Sequence, residues 1–345
     1  MKALVLEEKN RLQIRDIAIE EELGPNDVRI KIANVGVCGS DVHYYKHGRI
    51  GDFIVNEPMV LGHEASGVIA EVGSNVKSLK AGDRVAMEPG IFDPNSPEAM
   101  LGNYHLDPSI RFWATPPIHG VLRESVVHPA SLTFKLPDNV SLEEAVLAEP
   151  LTSGVHVARK VGISPGDTAV VAGAGTIGSL MALALLASGA SRVIITDVKQ
   201  EKLDFLSENY GDRLITCNVA KLDLKAFVGQ HFPGGADLFV DCSGNPKAIA
   251  AAPHCLRPAG KLVFVGMPQE PVPMDIVAMQ VKEIETVGIF RYANDYERSI
   301  ALIASGQIDV KPLISRRYAF KDSIEAFDLA ASAQPDVIKV VIDVQ

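Results

Sequence analysis

The chain has 345 residues, 47% of them hydrophobic and 22% charged, with a formal net charge of −10. Its length predicts about two domains of the usual ~150 residues, and its composition allows a substantial core. The acidic balance, uninterrupted by any basic cluster, excludes a nucleic-acid surface, and no apolar run approaches the ~18 residues that span a bilayer.

Residues 1–6 lead straight into a strand pattern with no secretory n-region or cleavage site, so the expected location is the cytoplasm. Cys38, Cys217, Cys242 and Cys255 show no close pairing, and no disulfide is expected. Up to about residue 134 the chain reads as short strands at 3–6, 12–19, 28–35, 67–72, 84–87 and 121–127, broken by turns such as Gly24-Pro25-Asn26-Asp27. Many short strands without helical periodicity predict a partly open, barrel-like β domain.

Ser141, with Glu144 three residues later, forms a capping box that opens a helix over part of 143–147. Another helix is expected over 152–160. Strands at 168–172, 192–196, 214–216, 237–241, 261–265 and 284–290 then alternate with helices at 177–188, 200–208, 222–228 and 246–256. This alternation predicts a doubly wound parallel sheet, and the fold class is α/β. Helices at 295–305 and 321–331 and a strand at 337–342 follow, and the tail is expected to pack back on the first domain.

The strongest motif joins the first strand of that sheet to its helix, over residues 170–178: Val-Val-Ala-Gly-Ala-Gly-Thr-Ile-Gly. Gly173 permits a tight turn, Gly175 lets backbone N–H groups approach a pyrophosphate, and Gly178 lets helix and strand pack closely. The helix N-terminus adds a favourable dipole for phosphates. Asp197 ends the next strand, nineteen positions after Gly178, where an acid should meet the adenine ribose hydroxyls. These features predict a nicotinamide dinucleotide site.

A second kind of chemistry is suggested by Cys38, within Gly36-Val-Cys-Gly-Ser-Asp-Val-His-Tyr44, and by Gly62-His63-Glu64. Thiolate, imidazole and carboxylate make a good zinc set, and three protein ligands with an open fourth position is the catalytic arrangement. Neighbours on a regular strand point to opposite faces, so His63 and Glu64 can share a metal only if Gly62 starts a bend. Glu149, before Pro150, is a further carboxylate at the junction of the two halves.

Cys38-Gly-Ser-Asp-Val-His-Tyr44, Pro58-Met-Val-Leu-Gly-His-Glu-Ala65, Ala81-Gly-Asp-Arg-Val85 and Ala172-Gly-Ala-Gly175 together resemble the zinc-dependent medium-chain dehydrogenase/reductase family. His47-Gly-Arg-Ile50, Glu88-Pro-Gly90, Ala114-Thr-Pro-Pro117, Glu149-Pro-Leu151 and Phe290-Arg-Tyr292 are similar to its polyol branch, the sorbitol and xylitol dehydrogenases. The resemblance covers nearly the whole chain. It implies a GroES-like catalytic domain over 1–152 and 291–345, split by a Rossmann domain over 153–290, with the active site in the cleft.

By the same resemblance, Cys38, His63 and Glu64 would hold zinc, with Glu149 binding it directly or through water. Ser40 and His43 match the proton relay, and Tyr44, Arg291 and Tyr292 match residues that meet the polyol. Ile177, Asp197 and Lys202 match positions around the adenosine half of NAD. Val265, Gly266 and Met267, with Ile289, Phe290 and Arg291, match the nicotinamide half. The implied reaction is oxidation of xylitol to xylulose or sorbitol to fructose, in a homotetramer or at least a dimer joined at edge strand 284–290. Rival readings are a threonine or butanediol dehydrogenase on the same fold, and a non-enzymatic structural or nucleotide-binding member. The chain departs from many relatives at 88–107, where four cysteines would hold a second, structural zinc and none is present. One zinc per chain is therefore expected, with that lobe held by packing around Phe92, Pro94 and Pro97.

Overall fold

The computed structural model describes residues 1–345, which divide into two compact units: Met1–Glu149 with Tyr296–Gln345, and Pro150–Asp295.

In the first unit, strand Asp27–Gly36 is the hub. Val28, Ile30 and Ile32 alternate inward along it and are fully buried, as a half-buried strand requires. It pairs antiparallel with Glu64–Val72, Ser125–Pro129 and Lys339–Asp343. The sheet runs Thr133–Lys135, Arg84–Met87, Glu64–Val72, Asp27–Gly36, Lys339–Asp343, Ile314–Ala319. The strand Ile314–Ala319 escapes sequence reading because its pattern is polar, with Ser315, Arg316 and Arg317 in succession. The expected strand at 121–127 is displaced to Ser125–Pro129. Val121 and Leu122 instead bond to the backbone of Gly62 and Leu61.

The lobe without cysteines is held by more than packing. Phe92 stacks on Tyr104 with ring centres 4.3 Å apart, and the Tyr104 hydroxyl donates to Glu88 Oε1 at 2.7 Å. The buried Asp107 carboxylate accepts from the backbone N–H of Asp93 and of Ser109, and from the Ser109 hydroxyl, each at 2.8 Å. Burial works to raise its carboxyl, but these bonds, with one from Ser96, outweigh burial and keep it below the ordinary range.

In the second unit six parallel strands lie in the order Leu214–Asn218, Arg192–Asp197, Thr168–Ala172, Ala236–Asp241, Leu256–Phe264, Glu285–Gly288. The order reverses between Thr168–Ala172 and Ala236–Asp241, the switch point at whose carboxyl end ligands bind in such sheets. Helices Thr176–Ala187, Gln200–Tyr210, Leu224–His231 and Pro246–Cys255 connect the strands. All four cysteines are free thiols, and no helix is long and apolar enough to cross a membrane.

Two strands flanking the switch point are tied by Asp237. Its carboxylate accepts from the Thr168 N–H and hydroxyl, each at 2.8 Å, and from Arg257 at 2.5 Å. Burial pushes this carboxyl upward, but Arg257 and Thr168 outweigh it and leave the carboxyl below its ordinary 3.8. A depressed folded-state value means stability that is present above the unfolded value and lost as pH falls through the folded one. Asp237→Asn should therefore destabilise the protein by about 1–2 kcal/mol at neutral pH, a modest value because the Arg257 side chain is 46% exposed. The difference from wild type should shrink below pH 3.8. Urea melts across that range check this, and a pH-independent difference would contradict it.

Candidate functional site

Residues 36–44 look loop-like by their glycines, yet Gly39–His47 is a helix with Cys38 as its N-cap. Asp41 makes this possible. Its buried carboxylate accepts from the Cys38 N–H at 3.4 Å and, across the fold, from the Gly62 N–H at 3.0 Å. Cys38 thus sits where unpaired helix N–H groups favour negative charge. Helical spacing puts Ser40, His43 and Tyr44 on one side, three and four residues apart. The Ser40 hydroxyl donates to Cys38 Sγ at 3.3 Å, His43 Nδ1 lies 2.9 Å from the Arg49 carbonyl, and Tyr44 is buried.

Gly62 does supply the bend that lets His63 and Glu64 converge. Its φ is +90°, and a Cβ there would meet Leu122 and Val35 at 2.9 Å. The N–H groups of Val121 and Leu122 hold the turn through the carbonyls of Gly62 and Leu61. As a result one ligand atom from each of Cys38, His63 and Glu64 lies within 4.8 Å of the others. Thiolate, imidazole and carboxylate at that spacing fit a zinc ion. The local field agrees. Burial acts to lower the His63 imidazole, but Asp41 and Cys38 overcome it and hold the group well above its usual range, so positive charge is favoured here.

Sequence reading missed two residues behind Glu64. Gly36 lies opposite Glu64 in the antiparallel register, and a Cβ on it would come within 2.2 Å of Glu64 Oε2. The missing side chain is room for the carboxylate. On the other side of the Gly36 strand, Lys339 donates to both Glu64 oxygens, at 2.8 and 2.6 Å, and to the Val37 carbonyl at 3.1 Å. Both side chains of the pair are 1% exposed. Burial opposes the Lys339 ammonium, but Glu64 first, then Cys38 and Glu149, raise it above its ordinary range. Glu149 itself is buried in the first turn of helix Ala148–Val161 and is not part of the three-residue group.

In the second unit Gly173 has φ +100°, and a Cβ on Gly178 would come within 1.8 Å of the Gly173 carbonyl, while Gly175 faces open space. Gly173 and Gly178 therefore have the physical reasons their motif suggested. Ile177 lies in the first turn of Thr176–Ala187, and Lys202 in Gln200–Tyr210. The Asp197 carboxylate faces the fingerprint, accepting from Ala174 N–H at 2.9 Å and from Val198 and Lys199 N–H at 2.8 and 2.9 Å. Three of the about four acceptor sites of that carboxylate are thereby used. Val265 and Gly266 donate to the Asp241 carbonyl, and Met267 is exposed. Ile289 donates to the Phe264 carbonyl, and the Arg291 guanidinium lies 4.7 Å over the exposed Phe290 ring. Tyr292 is buried, and Arg291 has a φ of +55°.

Lys339→Met would leave the Glu64 carboxylate buried without its partner, a change that costs about 3–5 kcal/mol when one member of a buried pair is removed. Denaturant melts of chelator-treated protein should show a loss of that order. An unchanged midpoint would mean that Glu64 finds another partner.

Two family models match the chain: the alcohol dehydrogenase GroES-like domain over residues 24–138, and zinc-binding dehydrogenase over 176–305. A D-xylulose reductase of Morganella morganii is 53% identical over 333 residues, covering 96% of this chain and 98% of that protein. A D-xylulose reductase of Saccharomyces cerevisiae is 40% identical over 349 residues, covering 99% and 97%. The crystal structure of an Escherichia coli oxidoreductase/dehydrogenase of unknown specificity superposes with a TM-score of 0.94 at 32% identity, covering 100% and 99% of the two chains. With these matches spanning both units, the chain belongs to the polyol branch of the zinc-dependent medium-chain dehydrogenase/reductase family.

Proposed function

We propose that this chain is an NAD-linked, zinc-dependent polyol dehydrogenase that oxidises the C2 hydroxyl of an acyclic polyol to a ketose, xylitol ahead of sorbitol. The observation that carries this reading is the Cys38–His63–Glu64 group with Ser40 against its sulfur, in a chain 53% identical to a D-xylulose reductase. Those three residues would hold a single zinc. Glu149, outside the group, fits a contact through water better than direct ligation. The unit 150–295 would bind NAD through its glycine turn, and the other unit would supply the metal site.

When bound, zinc supplies Lewis acidity at the substrate oxygen and nicotinamide accepts the hydride. Ser40, against the Cys38 sulfur, would take the hydroxyl proton. His43 stands three residues further along the helix, just short of a full turn. The Arg49 carbonyl can only accept, so His43 Nδ1 carries its hydrogen and Nε2 keeps a lone pair for an outgoing proton. Tyr44, Glu149, Arg291 and Tyr292 offer polar groups that a polyol satisfies. Hydrogen-bonding groups of this kind discriminate against a simple alcohol that lacks the hydroxyls to match them.

The exposed edge strand Glu285–Gly288, preceded by exposed Ile276, Val277 and Val281, supports a homo-oligomer, a tetramer or at least a dimer, through pairing with its twin. A monomeric mass by light scattering at micromolar protein would rule that out. Free cysteines fit a reducing compartment, the cytoplasm.

Steady-state kinetics on xylitol, sorbitol, ribitol, 2,3-butanediol, threonine and ethanol should give the highest kcat/KM with xylitol, and Arg291→Ala should depress polyol turnover. A best rate with ethanol or threonine would sink the assignment. The same assays should favour NAD over NADP by at least ~10²-fold. The fixed Asp197 charge about 4 Å from a 2′-phosphate costs on the order of 4 kcal/mol at an effective dielectric near 20, offset in part by Lys199 and Lys202. Metal analysis should find about one zinc per chain, lost with activity in Cys38→Ser, whereas two tightly held ions would contradict a single site.

A further inference from the structure

The segment that follows the last strand of the parallel sheet is irregular. Arg291 and Asn294 both adopt positive φ, +55° and +61°, without being glycine, a conformation that persists only where the surroundings hold it. What holds it is Asp295, whose side chain is fully buried. Its carboxylate takes a forked contact from Arg159, with Nε at 2.9 and 3.0 Å from the two oxygens and Nη2 at 2.8 Å from Oδ2. His156 Nδ1 lies 3.0 Å from the same Oδ2. Arg159 Nη2 also donates to the Ala293 carbonyl at 2.9 Å. His156 and Arg159, three residues apart on helix Ala148–Val161, thus grip the loop at Ala293 and at Asp295, immediately after Arg291 and Tyr292.

We propose that Asp295, clamped by Arg159 and His156, is a positioning residue that fixes the Arg291–Tyr292 loop in the one conformation that meets the polyol. The inference rests on the reading of Arg291 and Tyr292 as polyol contacts, and adds what orders them. A forked guanidinium contact to a fully buried carboxylate restricts geometry more tightly than a single bond. The clamp grips the chain two and four positions beyond Arg291, so releasing it frees the strained loop while the strand before it stays paired.

The test uses full-length, zinc-loaded enzyme carrying Asp295→Asn, Arg159→Ala or Arg291→Ala. The Arg159 side chain is 44% exposed, so its loss is the change least able to unfold the unit. The expected result is faster amide hydrogen exchange at 291–295 in both clamp variants, with strand Thr168–Ala172 still protected. With it, KM for xylitol should rise on the order of 10–100-fold, with a smaller fall in kcat, and Arg159→Lys should restore part of the loss. Unchanged exchange at 291–295 would overturn the clamp. Faster exchange with an unchanged KM, while Arg291→Ala raises KM, would overturn its role in substrate positioning and leave the polyol contact standing. An unchanged KM in Arg291→Ala would remove the polyol contact itself, and the proposal with it.

Discussion

A lysine ammonium and a glutamate carboxylate, each 1% exposed and 2.6 Å apart, are the constraint around which the metal group is arranged. Removing both charges from water costs several kcal/mol per ion, and such a pair seldom stabilises a fold better than apolar residues of the same volume. Its value lies in position. Lys339 comes from a strand on one side of Asp27–Gly36 and Glu64 from the strand on the other. The carboxylate lies over Gly36, where no side chain stands in its way, and the ammonium meets it from the neighbouring strand. Without that cation the Glu64 carboxylate would be an isolated charge in the core beside the Cys38 sulfur. With it, a carboxylate lies within 4.8 Å of a thiol and an imidazole.

This arrangement explains which parts of the site were legible in the sequence. Local features were readable: the glycine turn, the acid at the end of the next strand, and the Gly62 bend that two adjacent ligands require. Cys38 was recognisable as a ligand candidate, but its helix was not. The helix is secured by Asp41, which spends its second oxygen on Gly62, 21 residues away. Lys339 lies 275 residues from Glu64, in a strand whose sequence gives no reason to keep a lysine inside. The reason is the register of a sheet, which no local pattern records. The alternating strands and helices of the second unit were the most legible, because buried parallel strands are nearly uniformly apolar. The Ile314–Ala319 strand was the least, because its exposed arginines break the alternation.

The negative charge of the chain also takes on a structural meaning. Several of its acids act inside the fold as acceptors for backbone N–H groups: Asp41 at the helix of Cys38, Asp107 in the lobe without cysteines, Asp197 at the glycine turn. Asp241 does the same for Ser243 and Gly244. A carboxylate has several acceptor sites and forms charge-assisted bonds, so one acid can fasten a turn that would otherwise need a metal or a longer strand. In the 88–107 lobe, packing around Phe92 accounts for one part of the fastening, and the bonds to Asp107 and Glu88 account for another.

The same device fastens the loops at the carboxyl end of the parallel sheet. The turn after Thr168–Ala172, Asp197, the 241–244 turn and residues 265–267 all lie at the carboxyl ends of parallel strands, on both sides of the switch point. Asp197 pins the first to the second, and Asp241 pins the 241–244 turn through its carboxylate and residues 265 and 266 through its carbonyl. A Cβ on Gly266 would strike the Gly244 N–H at 2.2 Å, so the two turns are in direct backbone contact. Loops fastened to one another in this way lose little conformational freedom when a ligand enters, and ordering costs subtract less from the binding free energy. The glycines set the shape of these turns, and the two acids keep it.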